Sequence, residues 1–367
     1  MTPVSSSSDA YDVVCVGETM VLVTPDPASP LRLGGPARID VAGAESSVAC
    51  YLAQLGARTA WVSRLGDDPL GELVMTRLGE HGVDTSFVDV DPAAPTGVFF
   101  KDPGETTRVF YYRAGSAASA LGPSTRVPPA RIVHLSGITP ALSTSCAELV
   151  DQLLSTRRCS FDVNYRSRLW TTGEAAPVLH SLANRASIVF VGLDEAETLW
   201  GTKTPADVRA LLPGPDVLVV KDGAVGATSF HPAGTTFEPA PPVDVVEPVG
   251  AGDAYAAGYL AALLRDLPEP DRLRQGHRTA AAALRITGDV AQLNAADTEP
   301  TFLGAASPKA ASPHANSRDA ASRNGNSLEA ASPNATSSDA VSPAANSRDA
   351  APSNAASLDA PSREETR

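Results

Sequence analysis

The sequence has few cysteines and no excess of positive charge, and each scarcity excludes a class of protein. Its four cysteines are Cys15, Cys50, Cys146 and Cys159, and none forms a C-x-x-C pair or has histidine at metal-ligand spacing. We expect small buried residues in a reducing compartment, not a disulfide framework or a metal site. Lys and Arg number 29 against 42 Asp and Glu, for a formal net charge of −13. This balance argues against a nucleic-acid partner.

Long apolar runs are missing too. No stretch reaches the roughly 18 to 20 residues that a membrane-spanning helix needs, so we expect no membrane association. Residues Met1 to Asp9 are polar and Ser-rich, without the basic and apolar regions of a secretion signal, which favours the cytoplasm. Hydrophobic residues make up 43% and charged residues 19% of the chain, as in an ordinary globular protein.

The composition changes near Thr301, which predicts a boundary between a folded domain at residues 11–300 and a tail at 301–367. The tail consists mostly of Ala, Ser, Pro, Asn, Asp and Arg, and it repeats every ten residues, as Ser317, Ser327 and Ser337 illustrate. Each repeat has little apolar surface to bury, so burial cannot offset the entropy lost on ordering. The sequence therefore predicts a disordered tail.

Short apolar runs alternate with helical patterns in the predicted domain. The strand candidates are Val13–Val16, Ile132–Leu135, Ile188–Val191 and Val217–Val220, and the helix candidates are Ser46–Leu55, Leu70–His81, Ser143–Ser155 and Ala206–Leu212. This alternation predicts an α/β fold with a mostly parallel central sheet. Two segments interrupt it, an extended stretch at about 20–40 and a hairpin at about 96–113, and together they predict a small β-sheet lid.

The strongest local motif is Gly250-Ala251-Gly252-Asp253, which is followed by an Ala-rich helical stretch. Backbone N–H groups at a helix N-terminus suit a phosphate group. A carboxylate at that point repels phosphate, but it can take a proton from an attacking hydroxyl while the N–H groups stabilise the transferred phosphoryl group. The motif alone fits a helix N-cap aspartate equally well.

The chain resembles the ribokinase-like sugar kinases, the PfkB family, over about 290 residues. Besides Gly250–Asp253 it contains the segments Val41–Ser47, Leu65–Gly71 and Asp194–Glu197 in the order that the family shows. The resemblance implies a three-layer α/β/α sandwich. It implies Asp253 as catalytic base, Gly250, Ala251 and Gly252 as anion hole, and Gly43 and Ala44 at the sugar. It places Asp194 and Glu197 near Mg²⁺ and the phosphates, although the family usually has Asn at position 194.

Within this family, Tyr111–Ala117 and Phe161–Arg166 are similar to the 2-keto-3-deoxygluconate kinases. That similarity implies a sugar-acid substrate whose carboxylate could pair with Arg113 and Arg166. The further substrate-binding residues that it implies are Phe99, Tyr111 and Asp289.

For the nucleotide, Lys221, Gly223 and Gly226 lie in a segment that resembles the family's ATP loop, and Asn164 and Arg166 are also assigned to the nucleotide. The resemblance implies ATP and Mg²⁺ as cofactors, and it also allows a monovalent cation. A homodimer or higher homo-oligomer is the implied assembly. No G-x-x-x-x-G-K-[ST] loop is present, so this is not a P-loop kinase.

Two alternatives stay open at this point. The acceptor could be a neutral sugar such as fructose or ribose, or a nucleoside, because lid residues decide this choice. From another class, the chain could be a non-catalytic sugar or nucleotide sensor on a kinase fold. The intact Gly-Ala-Gly-Asp motif argues against a sensor, since binding alone does not require the aspartate.

Overall fold

Strands alternate with helices along the chain in the computed structural model, which describes residues 10–26, 29–104, 108–288 and 290–298. The predicted tail at 301–367 and Asp289 lie outside these residues. The described strands are β1 Tyr11–Val16, β2 Met20–Pro25, β3 Ala37–Ala42, β4 Thr59–Gly66, β5 Asp84–Asp91, β6 Val98–Asp102, β7 Arg108–Tyr112, β8 Ala130–Ser136, β9 Cys159–Asp162, β10 Ile188–Gly192, β11 Val217–Asp222, β12 Gly226–His231 and β13 Gly234–Pro239. The described α-helices are α1 Ala44–Gln54, α2 Pro69–Glu80, α3 Thr144–Thr156, α4 Thr172–Ala183, α5 Leu193–Trp200, α6 Pro205–Leu211, α7 Ala251–Leu264, α8 Glu269–Leu284 and α9 Ala295–Thr298.

One large sheet contains nine of these strands, in the order β13-β12-β11-β10-β9-β8-β1-β4-β5. The strands from β11 to β5 pair in parallel, whereas β12 and β13 are antiparallel at one edge. Parallel neighbours require crossover connections, and helices supply most of them here. The prediction of a mostly parallel central sheet is confirmed.

Helices cover both faces of this sheet, because successive residues of a strand point to opposite sides. On β1, Val13 and Cys15 pack in a core with α1, α2, α7 and α8. Val14 and Val16 pack in a second core with α3, α4, α5 and α6. All four side chains are completely buried. The predicted three-layer sandwich is therefore confirmed, with one core on each side of the sheet.

A second sheet of four strands has the order β3-β2-β6-β7. Strand β2 pairs antiparallel with β3 and parallel with β6, and β6 and β7 form the predicted hairpin. Only three residues separate the end of β1 from the start of β2. The small sheet must therefore begin at the carboxyl edge of the large one, where the predicted lid belongs.

Two expectations from composition can be compared with the described residues. The four cysteines are buried and unpaired, as expected of small core residues. No helix in the described part of the chain is both long and apolar enough to cross a membrane.

Candidate active site

A cavity of about 800 Å³ lies between the small sheet and the carboxyl ends of the parallel strands. Glu18, two residues beyond β1, lines it, as do Asp162, Gly192 and Lys221 at the ends of β9, β10 and β11. Ligands of open α/β folds bind in this crevice, because the connecting loops diverge there. The fold thus brings residues from distant parts of the sequence into one site.

Most of the residues predicted to bind sugar or nucleotide line this cavity: Gly43, Ala44, Phe99, Tyr111, Arg113, Asn164, Arg166, Asp194, Lys221, Gly250, Gly252 and Asp253. Ala251 adjoins it as the first residue of α7. Glu197, Gly223 and Gly226 do not line it. Strand β11 ends at Asp222. Gly223 and Gly226 follow it, in the turn to β12 and at the start of β12, and so lie beyond Lys221.

Glu197 is oriented away from the position that the sequence motif predicts for it. Its side chain forms an ion pair with Lys203, and 51% of it is exposed. On α5 the cavity is lined by Asp194, Glu195 and Thr198, which share a different face of the helix. The geometry therefore does not place Glu197 near a metal, and Asp194 and Glu195 are the carboxylates of α5 that face the cavity.

The turn before α7 depends on a glycine. Gly250 has a φ of 81°, a left-handed conformation that costs little only for glycine, and it is the N-cap residue of α7. Gly250 has no side chain that could cap the helix. Because Gly250, Gly252 and Asp253 line the cavity, the N-terminus of α7, where the N–H groups have no acceptor within the helix, lies at the cavity wall. Asp253 is the third helical residue and not the N-cap, which contradicts the alternative interpretation of this motif.

The carboxylate of Asp253 contacts the loop that follows β9. Its Oδ1 accepts a hydrogen bond of 3.2 Å from Nδ2 of Asn164. Asn164 is 6% exposed and has a φ of 42°, which is unusual for a residue other than glycine. The proposed base and a residue 89 positions away in sequence are therefore held together at one side of the cavity.

A buried cation lies next to the Gly250 turn. Nζ of Lys221 is 2.9 Å from Oδ2 of Asp162, and a Cβ atom added to Gly252 would lie 3.3 Å from Nζ. Burial disfavours the charged lysine, but Asp162, Glu195 and Asp253 outweigh it and raise the pKa of Lys221. Lys221 is therefore positively charged at neutral pH, where it can attract a phosphate group bound at the turn.

Glu195 is a second carboxylate near the ion pair of Lys221 and Asp162. It accepts hydrogen bonds from the backbone N–H groups of Tyr165 and Gly192. Burial, and next the charge of Asp162, raise its pKa above the ordinary value for a glutamate. Asp162 and Glu195 together place two carboxylates around one lysine, so this part of the cavity is not a simple cationic phosphate pocket.

At the opposite end, the predicted substrate arginine already has an ionic partner. Arg113 pairs with Glu18, whose side chain is 1% exposed, and Glu18 Oε1 accepts a 2.6 Å hydrogen bond from Ser116 Oγ. Phe99 and Tyr111 stack beside this pair with their ring centroids 5.4 Å apart. The Phe99 ring supplies the expected apolar wall. Arg113, however, is already neutralised by Glu18, so it does not offer a free positive charge to the carboxylate of a substrate.

Arg166 differs from Arg113 in this respect. It is exposed in the cavity, and its hydrogen bond goes to the backbone carbonyl of Tyr165, at 3.2 Å. Arg168 lines the same part of the cavity. Within the described part of the chain, neither guanidinium forms an ion pair. They are the cations of this cavity best placed to receive an anionic ligand.

An ion pair also joins the small sheet to the segment that precedes α7. Nζ of Lys101, on β6 of the small sheet, lies 2.5 Å from Oε1 of Glu247, three residues before Gly250. The two side chains are only 11% and 23% exposed. Strand β6 of the small sheet is therefore bonded directly to the segment that enters the Gly250 turn.

Sequence reasoning missed five charged residues that line the cavity: Glu18, Lys101, Asp162, Glu195 and Arg168. Three of them had a signal. Asp162 and Glu195 lie inside segments that were singled out for their neighbours, and Glu18 closely follows a predicted buried strand. Because carboxyl ends of parallel strands meet at one edge, polar residues at such ends are candidates for a site.

The carboxylates of the cavity bear on the implied Mg²⁺. Among the described residues, no group of three or more His, Cys, Asp or Glu side chains could hold a metal ion by itself. Mg²⁺ usually keeps several waters and binds through one or two carboxylates together with substrate phosphates. Asp194 and Glu195 at the cavity wall fit that mode, and a cation there would offset their repulsion of phosphate.

Comparison with known proteins agrees with this geometry. The sequence profile described as pfkB family carbohydrate kinase matches residues 10–296. A 2-dehydro-3-deoxygluconokinase from Thermoproteus tenax is 36% identical over 276 residues, covering 71% of this chain and 84% of the relative. A 2-dehydro-3-deoxygalactonokinase from Haloferax volcanii is 32% identical over 310 residues, covering 80% and 97%.

A solved structure, that of a PfkB protein from Polaromonas sp. JS666, superimposes with a TM-score of 0.69 at 34% identity. The match covers 75% of this chain and 96% of the other. The profile match at residues 10–296 spans every strand and helix that lines the cavity. From its motifs, its two sheets and these relatives, the chain belongs to the pfkB family and is a carbohydrate kinase.

Proposed function

We propose that this kinase transfers the γ-phosphoryl group of ATP to the terminal hydroxyl of 2-keto-3-deoxygluconate, also called 2-dehydro-3-deoxygluconate, giving the 6-phosphate. The observation that carries the proposal is the position of Asp253. Its carboxylate lies in the first turn of α7, directly after the Gly250 turn, and shares one cavity with Arg166 and the small sheet. A base, an anion-binding turn and a free cation are thus combined in one place.

In this mechanism Asp253 takes the proton from the C6 hydroxyl as the oxygen attacks the γ-phosphorus. The bond between the γ-phosphorus and the bridging oxygen breaks in line, and ADP leaves with that oxygen. The N–H groups of Ala251, Gly252 and Asp253 hold the negative charge on the transferred group. Mg²⁺, held near Asp194 and Glu195, would neutralise charge on the phosphates. Water would compete as acceptor, and the small sheet above the cavity limits its access.

The sugar-acid part of the proposal depends on Arg166 and its neighbour Arg168. Both guanidinium groups lie at the cavity, and neither has an ionic partner in the described part of the chain. A guanidinium binds a carboxylate with two parallel hydrogen bonds, so a sugar acid gains more here than a neutral sugar. The carboxylate would be at one end of the substrate and the reacting C6 hydroxyl at the other.

One observation favours a neutral sugar as second candidate. Glu18 already neutralises Arg113, so that end of the cavity offers a paired arginine and a buried carboxylate instead of a free cation. Carboxylates and paired guanidinium groups can bind sugar hydroxyls by hydrogen bonds. Fructose is the simplest acceptor to which this argument applies.

A panel of acceptors tests the proposal. ATP consumption would be measured with 2-keto-3-deoxygluconate, its galactonate epimer, fructose, ribose and adenosine, and with no acceptor. We expect kcat/KM to be highest for a keto-deoxy sugar acid. A higher kcat/KM with fructose would favour the neutral sugar, the second candidate, over the sugar acid. If no acceptor stimulated ATP consumption, the sensor interpretation would be favoured.

The role of Arg166 can be tested separately. Arg166→Ala should lower kcat/KM for the sugar acid on the order of tenfold more than for fructose, since only the acid offers a carboxylate. Arg185→Ala, which removes an arginine paired with Asp151 outside the cavity, is the control and should leave the ratio unchanged. Equal losses for the two substrates would argue against carboxylate binding by Arg166.

A further inference from the structure

Asn164 combines two features that its assignment to the nucleotide does not explain. Among the described residues it is one of two that are not glycine and have a positive φ; the other is Asp266, in the turn between α7 and α8. Residues in this conformation cluster at functional sites, where the surrounding structure has to maintain them. Its side-chain amide also contacts the carboxylate of Asp253.

Contacts on both sides of Asn164 hold its backbone in place. The N–H of Val163 donates to the carbonyl of Phe190 on β10, at 3.0 Å, and Val163 is completely buried. The N–H of Tyr165 donates to the carboxylate of Glu195. With the flanking peptides fixed to β10 and α5, the chain can turn at Asn164 only within a narrow range. The amide is thereby directed at α7.

The direction of the hydrogen bond follows from its chemistry. An ionised carboxylate only accepts hydrogen bonds, so the amide of Asn164 must present its NH₂ group to Oδ1 of Asp253. One oxygen of Asp253 is then occupied by a fixed donor. This contact restricts the rotation of the carboxylate, and with it the direction from which Asp253 can accept the proton of a bound hydroxyl.

We propose that Asn164 is a positioning residue that orients the carboxylate of Asp253 for proton transfer. This inference rests on the proposed function insofar as Asp253 is the base, but it does not depend on which sugar is the acceptor. It also separates Asn164 from the nucleotide role that the family resemblance implies. A residue that binds ATP affects its affinity, whereas a residue that orients the base affects the rate of the chemical step.

The charged groups around Asp253 set the expected effect of pH. Lys221 faces it from β11, Asp162 lies behind Lys221 on β9, Glu195 approaches from α5, and Arg166 lies on the loop of Asn164. Asn164→Asp would add a carboxylate within hydrogen-bonding distance of Asp253. Two adjacent carboxylates cannot both ionise easily, so protonation of the pair would begin at higher pH. The acid limb of the kcat profile should therefore move to higher pH.

The test uses the full chain and the best acceptor of the panel. Asn164→Ala and Asn164→Gly should each lower kcat on the order of tenfold and change the KM for ATP less than twofold. Glycine accepts the positive φ, so Asn164→Gly keeps the fold even if alanine does not. Asn294→Asp, at an exposed turn where Oδ1 accepts from Ala296 N–H, controls for the charge added by Asn164→Asp.

The decisive comparison removes the base. In an Asp253→Asn background, Asn164→Gly should have no further effect on kcat, because there is no carboxylate left to orient. The inference is overturned by an equal loss in both backgrounds, by a rise in the KM for ATP with kcat unchanged, or by an unshifted pH profile of Asn164→Asp. Near-normal turnover of Asp253→Asn alone would instead overturn the proposed function.

Discussion

Asp253 places a carboxylate in the first turn of α7. The backbone N–H groups of such a helix N-terminus favour an anion, so a negatively charged side chain there needs an explanation. Acidic residues are common in first helical turns, where the helix dipole stabilises them. Here the N-cap is Gly250, which has no side chain to cap the helix, and Asp253 is the third helical residue. Asp253 is therefore not the cap of α7, and the proton transfer that we propose gives its carboxylate a role. The nearby positive charge of Lys221 then compensates in part for the repulsion between Asp253 and phosphate.

Asp253→Asn should keep the fold and the binding of ATP but lower kcat on the order of 10² or more, since the amide cannot accept the proton. Asparagine has the same shape, and its carbonyl oxygen can still accept the hydrogen bond from Asn164. Initial rates and a thermal melting curve measure both properties. Asp89→Asn, on the exposed edge strand β5, is the control, and a near-normal kcat for Asp253→Asn would remove it from the mechanism.

The small sheet is the element on which access to the cavity depends. It is attached to the large sheet through the short segment between β1 and β2, and the Lys101–Glu247 ion pair connects its third strand to the segment before Gly250. We therefore expect a movement of the small sheet to be coupled to the Gly250 turn, because this ion pair connects the two.

Lys101→Met and Glu247→Gln should each lower kcat/KM about fivefold or more, since removing one partner leaves the other charge partly buried and weakens lid closure. Steady-state kinetics at low and high salt measure this loss. Arg108→Met, which removes an exposed lid cation paired with Asp102 on the same hairpin, is the control. An unchanged kcat/KM would show that the ion pair does not contribute to lid closure. The same conclusion would follow if the exchanged pair Lys101→Glu/Glu247→Lys restored none of the lost kcat/KM.

For the whole domain, a buried histidine in the large sheet contributes to the way stability responds to acid. His134 on β8 is 1% exposed, and its Nδ1 is 2.9 Å from Oγ of Ser160 on β9. Burial lowers its pKa from 6.5 to about 4. The unfolded chain therefore binds a proton that the folded chain excludes between these pH values. The contribution of His134 to stability is therefore fully present above about pH 6.5 and is lost as the pH falls toward 4.

Between pH 7 and pH 5 the native protein should lose about 2 kcal/mol more free energy of unfolding than His134→Gln, because glutamine does not titrate. Urea unfolding at both pH values measures the difference. His231→Gln, on β12 near the sheet edge, controls for the removal of a histidine elsewhere. Equal acid losses in the native protein and His134→Gln would show that His134 does not contribute. His81 and His277, whose pKa values are also lowered mainly by burial, act in the same direction.

Much of this protein could be predicted from local sequence. Strands such as Val13–Val16 are apolar on both faces, and periodicity detects such runs without knowledge of their neighbours. The Gly250–Asp253 turn was recognisable because glycine conformation and helix polarity are local properties. Strand β9 was not predicted, since it has only four residues and depends on pairing with β8 and β10.

Only the tertiary structure decided how the charges are paired. Arg113 and Arg166 look equivalent in the sequence, yet one is neutralised by Glu18 and the other is exposed in the cavity. Glu197 matched a motif, but helix rotation turns it toward Lys203 and places Glu195 at the cavity instead. Sequence order specifies which charges exist. For Arg113 the ionic partner is Glu18, which is distant in sequence, so only long-range packing could bring the two together.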